Sequence, residues 1–467
     1  MLAWTRYFSR LRSDSHLYGG LVNVNDDADL RTDIRLSSQM SRDMKPGSHT
    51  PYTSGARVWS GERGGCLSTG GQSFSIICLS PQDWRVALPT NRQQVMLRAS
   101  RRGHDVLFVE TGYFLGRHLW SLVRRPERRS LARRLFSTEE VVSGVRLRKA
   151  HNLVPWGSTY RLPKAINSTV TARELARLAA GLTQPVVLWI YDPGAAGLAG
   201  RCREAFAVYD CVDDYTEQTI SARKRAMVAS CDRMAATRSR LVFTTSTRMY
   251  ERHRRLNPGT HLVQNAGDYE HFSAAVDRAF SAPEVSDLPR PVIGFAGNFL
   301  ASKVDFGLLE HVARALPQAT VLLIGPATPE TSPVLERLDH LSNVHWLGPK
   351  AYTELPRYVA AFDVGLIPYV SNAYTRSCFP LKLYEYLAAG KPVVATGLPE
   401  LAGMEPDVVL VDGAAAFVDE VARVVTRDGE GDKMRRMELA SRNSWEAKTD
   451  RLLALVSREL DSPRPTG

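Results

Sequence analysis

The sequence has few of the features of a membrane-spanning, disulfide-linked or zinc-binding protein. No apolar run approaches the length of about 20 residues that a bilayer-spanning helix needs. The start of the chain is not followed by the apolar segment of a signal peptide, so we expect a cytoplasmic protein. The six cysteines form no CxxC pair and no paired spacing with histidine. This spacing argues against zinc and against a disulfide framework, and it is typical of a reducing cytosol.

The sequence has an excess of basic residues: it contains 60 Lys and Arg residues and 49 Asp and Glu residues, which gives a net charge of +11. Such an excess allows nucleic acid, an anionic membrane or a phosphorylated substrate as a partner. We find no DNA- or RNA-binding signature and no aromatic stacking platform, so nucleic acid is not expected. Hydrophobic residues at 44% and charged residues at 23% are ordinary for a globular protein, and 467 residues suffice for two domains.

The most basic stretch spans residues 117–134, where arginines alternate with apolar residues. Arginines interleaved with tryptophan and leucine suit a segment that lies on an anionic membrane surface, each basic side chain contributing about 1 kcal/mol. A solvated arginine-rich face is the alternative. The residues that we assign to a membrane or acceptor contact are Trp120, Arg124, Arg125, Arg128 and Arg129.

Strands and helices are predicted to alternate in two regions, and βαβ alternation predicts a parallel sheet in each. The first region opens with a strand at residues 74–79 and a helix at 91–102. We divide the chain as follows: a poorly ordered extension (1–72), a first domain (73–272), a linker rich in Ser, Ala, Pro, Asp and Glu (273–290), a second domain (291–435) and a helix (436–460).

Acidic residues end two predicted strands of the first region. Asp192 follows residues 184–191, and Asp213 and Asp214 close the strand at 207–214. The carboxyl ends of strands in such sheets face the ligand crevice, so each of these residues is a candidate base that removes the proton of a hydroxyl nucleophile. The alternatives are structural: Asp192 forming a turn, and the Asp213–Asp214 pair capping a helix.

The sequence of residues 374–396 predicts a loop, a short helix and a strand. Pro380 suits the start of the helix and Gly390 the position after its end. Lys382 and Glu385 are three residues apart, about 4.5 Å along one face. A cation beside free backbone N–H groups holds phosphate, and a carboxylate accepts hydrogen bonds from two neighbouring sugar hydroxyls. One helix thus suits both ends of a nucleoside diphosphate; a surface ion pair is the alternative.

The sequence FPLKLYEYLAAGKPVVAT (379–396) resembles the nucleotide-sugar site of GT-B glycosyltransferases, in particular family-four-like and teichuronic-acid-type bacterial enzymes. The resemblance covers residues 74–460 in layout and is most specific at 291–396. It implies an α/β fold of the GT-B type. Two Rossmann-like, doubly wound domains would face each other across a cleft, and the C-terminal helix would cross back to the first domain.

The resemblance also implies roles for single residues. Glu385 would bind the ribose and Lys382 the diphosphate or the donor sugar. The loop after the strand at 291–297 and the loop around 348 complete the predicted donor site, which includes Gly297, Asn298, Lys303, Gly348, Lys350 and Ser377. Ser377 stands eight positions before Glu385, where many retaining enzymes of this type carry a glutamate. The stereochemical outcome therefore remains open.

The function that the resemblance implies is transfer of a sugar from a nucleotide diphosphate-sugar, UDP- or GDP-linked, to a hydroxyl acceptor. The expected acceptor is a lipid-linked saccharide or a cell-surface polysaccharide precursor at the inner face of the membrane. No cofactor and no metal are expected. A UDP-sugar 2-epimerase of the same fold and a non-catalytic nucleotide- or carbohydrate-binding protein are the alternatives.

Overall fold

The computed structural model describes the chain in five segments: residues 73–86, 88–116, 137–155, 161–217 and 222–462. The predicted extension at 1–72 lies outside these segments. So do the five residues that we assign to a membrane or acceptor contact, Trp120, Arg124, Arg125, Arg128 and Arg129. Among the helices in the five segments, none combines the length and the apolar character needed to cross a bilayer.

Within these segments, eight strands form the sheet of the first domain. They are β1 (Ser75–Ser80), β2 (Asp105–Phe114), β3 (Glu139–Val142), β4 (Val145–Asn152), β5 (Val186–Ile190), β6 (Phe206–Cys211), β7 (Leu241–Thr244) and β8 (Thr260–Leu262). Their order across the sheet is β3-β4-β2-β1-β5-β6-β7-β8, and β3 alone runs antiparallel to its neighbour. The central strands are apolar and buried on both faces, as a parallel sheet covered by helices requires.

The helices of the first domain connect these strands as crossovers. They are α1 (Asn91–Arg101), α2 (Arg161–Ala179), α3 (Ala222–Arg238) and α4 (Thr247–His253). Thr90 and Gln93 form a capping box that starts α1. The Ser246 hydroxyl accepts a hydrogen bond from the Met249 N–H and so caps α4.

The second domain is a six-stranded, wholly parallel sheet in the described chain. Its strands are β9 (Val292–Ala296), β10 (Thr320–Ile324), β11 (Val344–Trp346), β12 (Val364–Ile367), β13 (Val393–Thr396) and β14 (Val408–Val411). The order β11-β10-β9-β12-β13-β14 is the 3-2-1-4-5-6 order of dinucleotide-binding folds. In such sheets the ligand crevice opens where the order reverses, here between β9 and β12.

The remaining helices are α5 (Tyr269–Ser273), α6 (Pro283–Ser286), α7 (Phe306–Ala315), α8 (Ser332–Asp339), α9 (Leu355–Val359), α10 (Lys382–Ala388), α11 (Ala414–Arg427), α12 (Glu430–Arg442) and α13 (Trp445–Asp461). The segment that we interpret as a linker includes α6 and short 3₁₀ turns. Ala275, Ala282 and Val285 of this segment lie in the apolar core of the second domain. The connection is therefore anchored to that domain at these three residues.

The predicted helix at residues 436–460 consists of parts of two helices. α12 belongs to the second domain, where Arg436 donates hydrogen bonds to the Gly390 carbonyl. The chain turns at Ser444, whose hydroxyl accepts from the Ala447 N–H and caps α13. α13 then packs on α1 of the first domain, and the crossing back begins at Trp445.

Lys448 of α13 is buried in this contact, where its ammonium donates to Asn91 Oδ1 at 3.0 Å. Burial lowers its pKa to about 8, against an opposing effect of Asp210. Burial also lowers the pKa of Lys391 to about 8. Above about pH 8 the unfolded chain then binds more protons than the folded one, so stability rises with pH, by up to about 1.4 kcal/mol per unit for each lysine.

We therefore expect the free energy of unfolding to increase between about pH 8 and pH 9.5, and Lys448→Met to remove roughly half of that slope. Urea unfolding at several pH values measures it. Lys350→Met is the control, because hydrogen bonds with Glu284 and Tyr358 outweigh burial and raise the pKa of Lys350, which stays protonated in both states. An unchanged slope in Lys448→Met would contradict the prediction.

A close backbone contact joins the loops that follow β9 and β10. Gly325 has a φ of +139°, and a Cβ there would lie 1.9 Å from the Gly297 carbonyl oxygen. We expect Gly325→Ala to destabilise the protein by about 2–4 kcal/mol, measured by urea unfolding. Gly348→Ala is the matched control: its φ is +65° but a Cβ there meets no atom within 4 Å, so about 1 kcal/mol is expected. Equal losses would show that the Gly297 contact is unimportant.

Candidate active site

Segments that follow strands of both sheets meet between the two domains. The first domain contributes the residues after β6, and the second contributes the loop after β9 and the segment leading into α10. Two contacts from the first domain hold α10 and the segment before it: the Asn265 amide donates to the Phe379 carbonyl oxygen at 2.7 Å, and Gly267 packs against Tyr384. A Cβ at Gly267 would lie 2.7 Å from the Tyr384 side chain.

Lys382 and Glu385 lie together on one face of α10, as their spacing predicts. Lys382 Nζ is 3.4 Å from Glu385 Oε2, and the Glu385 residue is only 8% exposed. Burial raises the pKa of Glu385, while the Lys382 charge opposes this rise. A surface ion pair would be solvated, so the burial argues against that alternative.

Gly297 lies beneath the Lys382 side chain. A Cβ at Gly297 would be 3.3 Å from Lys382 Cε, so the loop after β9 and the start of α10 are in contact. Gly297 is buried and donates its N–H to the Ile324 carbonyl oxygen at 2.8 Å, whereas Asn298 is exposed. Four predicted donor residues are thus adjacent: Gly297, Asn298, Lys382 and Glu385.

Lys303 lies in an aromatic pocket that faces the first domain. Its Nζ is 4.9 Å from the centroid of the Tyr369 ring and 5.9 Å from that of Tyr374. Burial disfavours the ammonium, but Cys378, the two tyrosines and Asp213 more than offset this and raise the pKa of Lys303 well above its usual value. Lys303 is therefore a cation held close to the domain boundary.

Three of the predicted donor residues differ from the others in their contacts. The Lys350 ammonium is held by Glu284 at 2.8 Å and lies 4.9 Å from the Tyr358 ring centroid, which leaves its backbone as the part available to a base. The Gly348 carbonyl accepts the Gly325 N–H at 2.8 Å. Ser377 is 3% exposed, and its hydroxyl has no hydrogen-bond partner in the described chain.

The three candidate bases have different surroundings. Asp192 caps a 3₁₀ turn: its carboxylate accepts from the Gly194 N–H at 2.7 Å and from the Thr111 hydroxyl at 2.8 Å. Asp214 is buried and accepts from Arg252 at 2.9 Å. Both carboxylates therefore have structural roles: Asp192 in a turn, as the structural alternative from the sequence has it, and Asp214 in an ion pair with Arg252, a contact that the sequence does not predict.

Asp213 instead points to the second domain. Burial raises its pKa, and the charges of Arg92 and Lys303 together with a hydrogen bond from Tyr374 act against that rise. A carboxylate with a raised pKa is a better proton acceptor near neutral pH than an ordinary aspartate. The structure thus places Asp213, and neither of the other two, beside the predicted donor residue Lys303.

Arg92 and Tyr374 belong to this site but are absent from the sequence-based prediction. Arg92 is 1% exposed and donates to the Tyr215 hydroxyl at 2.6 Å. The available signal is a run of polar residues, Asn-Arg-Gln-Gln, at the start of a helix with apolar residues further along. Polar residues at buried positions of a helix often mark a functional surface.

The chain is similar in sequence to known glycosyl transferases. The family model described as "Glycosyl transferases group 1" matches residues 290–427. TuaH of Bacillus subtilis, described as a putative teichuronic acid biosynthesis glycosyltransferase, is 31% identical over 276 residues, which cover 55% of this chain and 68% of TuaH. The chain belongs to the group 1 glycosyl transferases. The epimerase and the non-catalytic alternatives are not favoured.

Solved structures show the fold of this glycosyltransferase. HepE of Anabaena in complex with UDP has a TM-score of 0.59 at 15% identity and covers 83% of this chain and 100% of its own. The sucrose-phosphate synthase of Thermosynechococcus elongatus has a TM-score of 0.61 at 16% identity and covers 83% and 99%. The predicted α/β fold of the GT-B type is confirmed.

Proposed function

We propose that this glycosyltransferase moves a sugar from a nucleoside diphosphate-sugar to a hydroxyl of a saccharide acceptor in the synthesis of a cell-surface polysaccharide. The donor assignment rests on the ion pair between Lys382 and the buried Glu385, with Gly297 beneath the lysine. UDP is the diphosphate that we favour, because HepE, which shares the fold, was solved in complex with UDP.

Different donor residues bind different parts of the nucleotide. Glu385 accepts hydrogen bonds from the two ribose hydroxyls, and Lys382 holds the diphosphate. When the bond between the anomeric carbon and the phosphate oxygen breaks, negative charge develops on the leaving diphosphate. Lys382 and Lys303 stabilise that charge from a site shielded from water, where a fixed cation acts most strongly.

Asp213 is the base that we assign to the acceptor. It takes the proton of the acceptor hydroxyl as the oxygen bonds to the anomeric carbon. Its position across the domain boundary from Lys303 supports this role, since a base on the first domain can reach an acceptor hydroxyl while the second domain holds the leaving diphosphate. Asp192 and Asp214 are bound to the fold by their own hydrogen bonds.

The acceptor that we propose is a growing saccharide, lipid-linked or part of a surface polymer. TuaH, the 31% identical relative, is assigned to teichuronic acid biosynthesis, which supports this class. The net charge of +11 suits an anionic acceptor or membrane surface. As part of the same proposal, residues 117–134, which are outside the described segments, contact the inner leaflet.

The test of the donor site is thermal unfolding of the purified protein with UDP, GDP, ADP and dTDP. A ligand at about 100 times its Kd stabilises by roughly 2.7 kcal/mol, which gives a visible shift. Release of the diphosphate from the matching nucleotide-sugar in the presence of saccharide acceptors then tests the transfer. If no diphosphate shifts the unfolding temperature, the assignment of the donor site is wrong.

A further inference from the structure

A buried group of polar side chains lies in the first domain behind Asp213. Its members are Cys211 at the end of β6, Asp232 on α3 and His253 at the end of α4, none of them more than 6% exposed. One ligand atom from each lies within 4.8 Å of the other two. Thiolate, carboxylate and imidazole are the side-chain ligands that zinc takes in proteins.

The distances within this group resemble those of a tetrahedral site. His253 Nε2 is 3.0 and 3.1 Å from the two Asp232 oxygens, and Cys211 Sγ is 3.9 Å from Asp232 Oδ1. Met249 Sδ lies 3.8 Å from Cys211 Sγ. Around a zinc ion with bonds of about 2.0–2.3 Å, tetrahedral ligand atoms are about 3.3–3.8 Å apart.

Both ring nitrogens of His253 face acceptors, which either an imidazolium or an ion bound at Nε2 satisfies. Nδ1 is 2.8 Å from the Met249 carbonyl oxygen, and Nε2 faces the Asp232 carboxylate. A neutral imidazole has one N–H and cannot donate to two acceptors at once. With an ion between Nε2 and Asp232, the Nδ1–H donates to the carbonyl and the Nε2 lone pair binds the metal.

Neighbouring groups hold two of these side chains in orientations that suit metal binding. The Met249 carbonyl orients the His253 ring, and the Tyr209 hydroxyl donates to Asp232 Oδ1 at 2.7 Å. Ligands of bound metals are commonly held in this way by a backbone carbonyl or a further hydrogen bond. A thiolate, a carboxylate and a neutral imidazole also balance the charge of a divalent cation, which suits a site inside an apolar core.

We propose that Cys211, Asp232 and His253 bind one zinc ion, with the Met249 sulfur beside the fourth coordination position. The role is structural, since all three side chains are buried. Cys211 is two residues before Asp213, and α4, which carries His253, also carries the Arg252 that pairs with Asp214. The ion therefore fixes the segment that carries Asp213 and Asp214 and the helix whose Arg252 pairs with Asp214.

Sequence spacing does not reveal such a site. The three ligands are 21 residues apart in each step and come from a strand and two helices, whereas zinc motifs that can be read from a sequence have pairs of ligands close together. We expect no metal from the sequence because it contains no such pairs and no cluster of residues with the spacing of a catalytic metal site.

The test uses the untagged full-length protein, dialysed against a chelator and titrated with Zn²⁺ in competition with a chromogenic chelator. Co²⁺ is the spectroscopic probe, because a thiolate ligand gives a charge-transfer band in the near ultraviolet and tetrahedral coordination gives strong visible bands. We expect one ion per chain, both sets of bands with Co²⁺, and a higher unfolding temperature with metal.

Cys211→Ser is expected to lose the thiolate band and to weaken Zn²⁺ binding by more than about 100-fold. Cys231→Ser is the matched control: this buried thiol is next to Asp232 in the sequence, but it accepts from Lys164 at 2.6 Å and lies outside the group. Should Cys211→Ser fail to fold, the bands of the wild-type protein decide. No stoichiometric Zn²⁺, or Co²⁺ without a thiolate band, would overturn the proposal and leave a buried His253–Asp232 ion pair.

Discussion

Replacing Glu385 with glutamine is expected to weaken binding of the nucleotide and its sugar conjugate by about 10- to 100-fold. The ionised carboxylate accepts from both ribose hydroxyls, whereas an amide offers a single acceptor oxygen and no charge. Hydrogen bonds to charged groups contribute about 1.5–3 kcal/mol each, which corresponds to this range. Glu385→Ala leaves Lys382 without its partner and is expected to lose more. Titration of the diphosphate, followed by calorimetry or thermal unfolding, measures the change.

The control for Glu385 is Glu110→Gln. Glu110 is as deeply buried, at 3% exposure, but it accepts from the Trp84 N–H in the first domain. We expect this variant to lose stability and to keep its affinity for the nucleotide. If Glu385→Gln binds the diphosphate as tightly as the wild-type protein does, the ribose contact lies elsewhere and the orientation of the nucleotide on α10 must be reversed.

Residues near α10 could be predicted from the sequence because local signals define them. Gly390 has a φ of +69°, the left-handed conformation that its position after the helix requires. The Lys382–Glu385 pair follows from helical spacing alone. The helix itself begins at Lys382, two residues later than Pro380 suggests. Helix ends are set by capping contacts, which sequence patterns place less well.

The choice among the three aspartates could not be made from the sequence. Each follows a strand at the same edge of the first sheet, so the pattern treats them alike. The three aspartates differ in their tertiary contacts. Thr111 binds Asp192, and Arg252 binds Asp214. Asp213 lies beside Lys303. These partners are between 38 and 90 residues away along the chain, and Lys303 is in the other domain. A local sequence pattern therefore cannot identify them.

The same reasoning applies to the end of the chain. The sequence predicts one helix at 436–460, but Asn443 and Ser444 interrupt it. Hydrogen bonds between Gly267 and the backbone at 443–445 fix the turn. Because Gly267 is far from this segment in sequence, the break depends on contact between the domains, which decides where the chain returns to the first domain.

Asp213→Asn is expected to reduce the transfer rate by about 10²- to 10⁴-fold, the usual contribution of a general base. The amide is nearly isosteric and keeps the contact with Tyr374, but it cannot accept the proton of the acceptor hydroxyl. The diphosphate affinity should stay within a few-fold, since the donor residues are untouched. The measurement is kcat for diphosphate release with acceptor present, beside the Kd of the diphosphate.

Asp192→Asn is the matched control, because it changes a carboxylate at the same sheet edge that is bound within its own turn. It should lose stability and retain most of its transfer rate. Because burial raises the pKa of Asp213, the wild-type rate should fall on the acid side at a higher pH than an ordinary aspartate would give, and this limb should vanish in Asp213→Asn. An Asp213→Asn variant with wild-type kcat and an unchanged acid limb would show that the acceptor proton leaves by another route and that Asp213 is not the base.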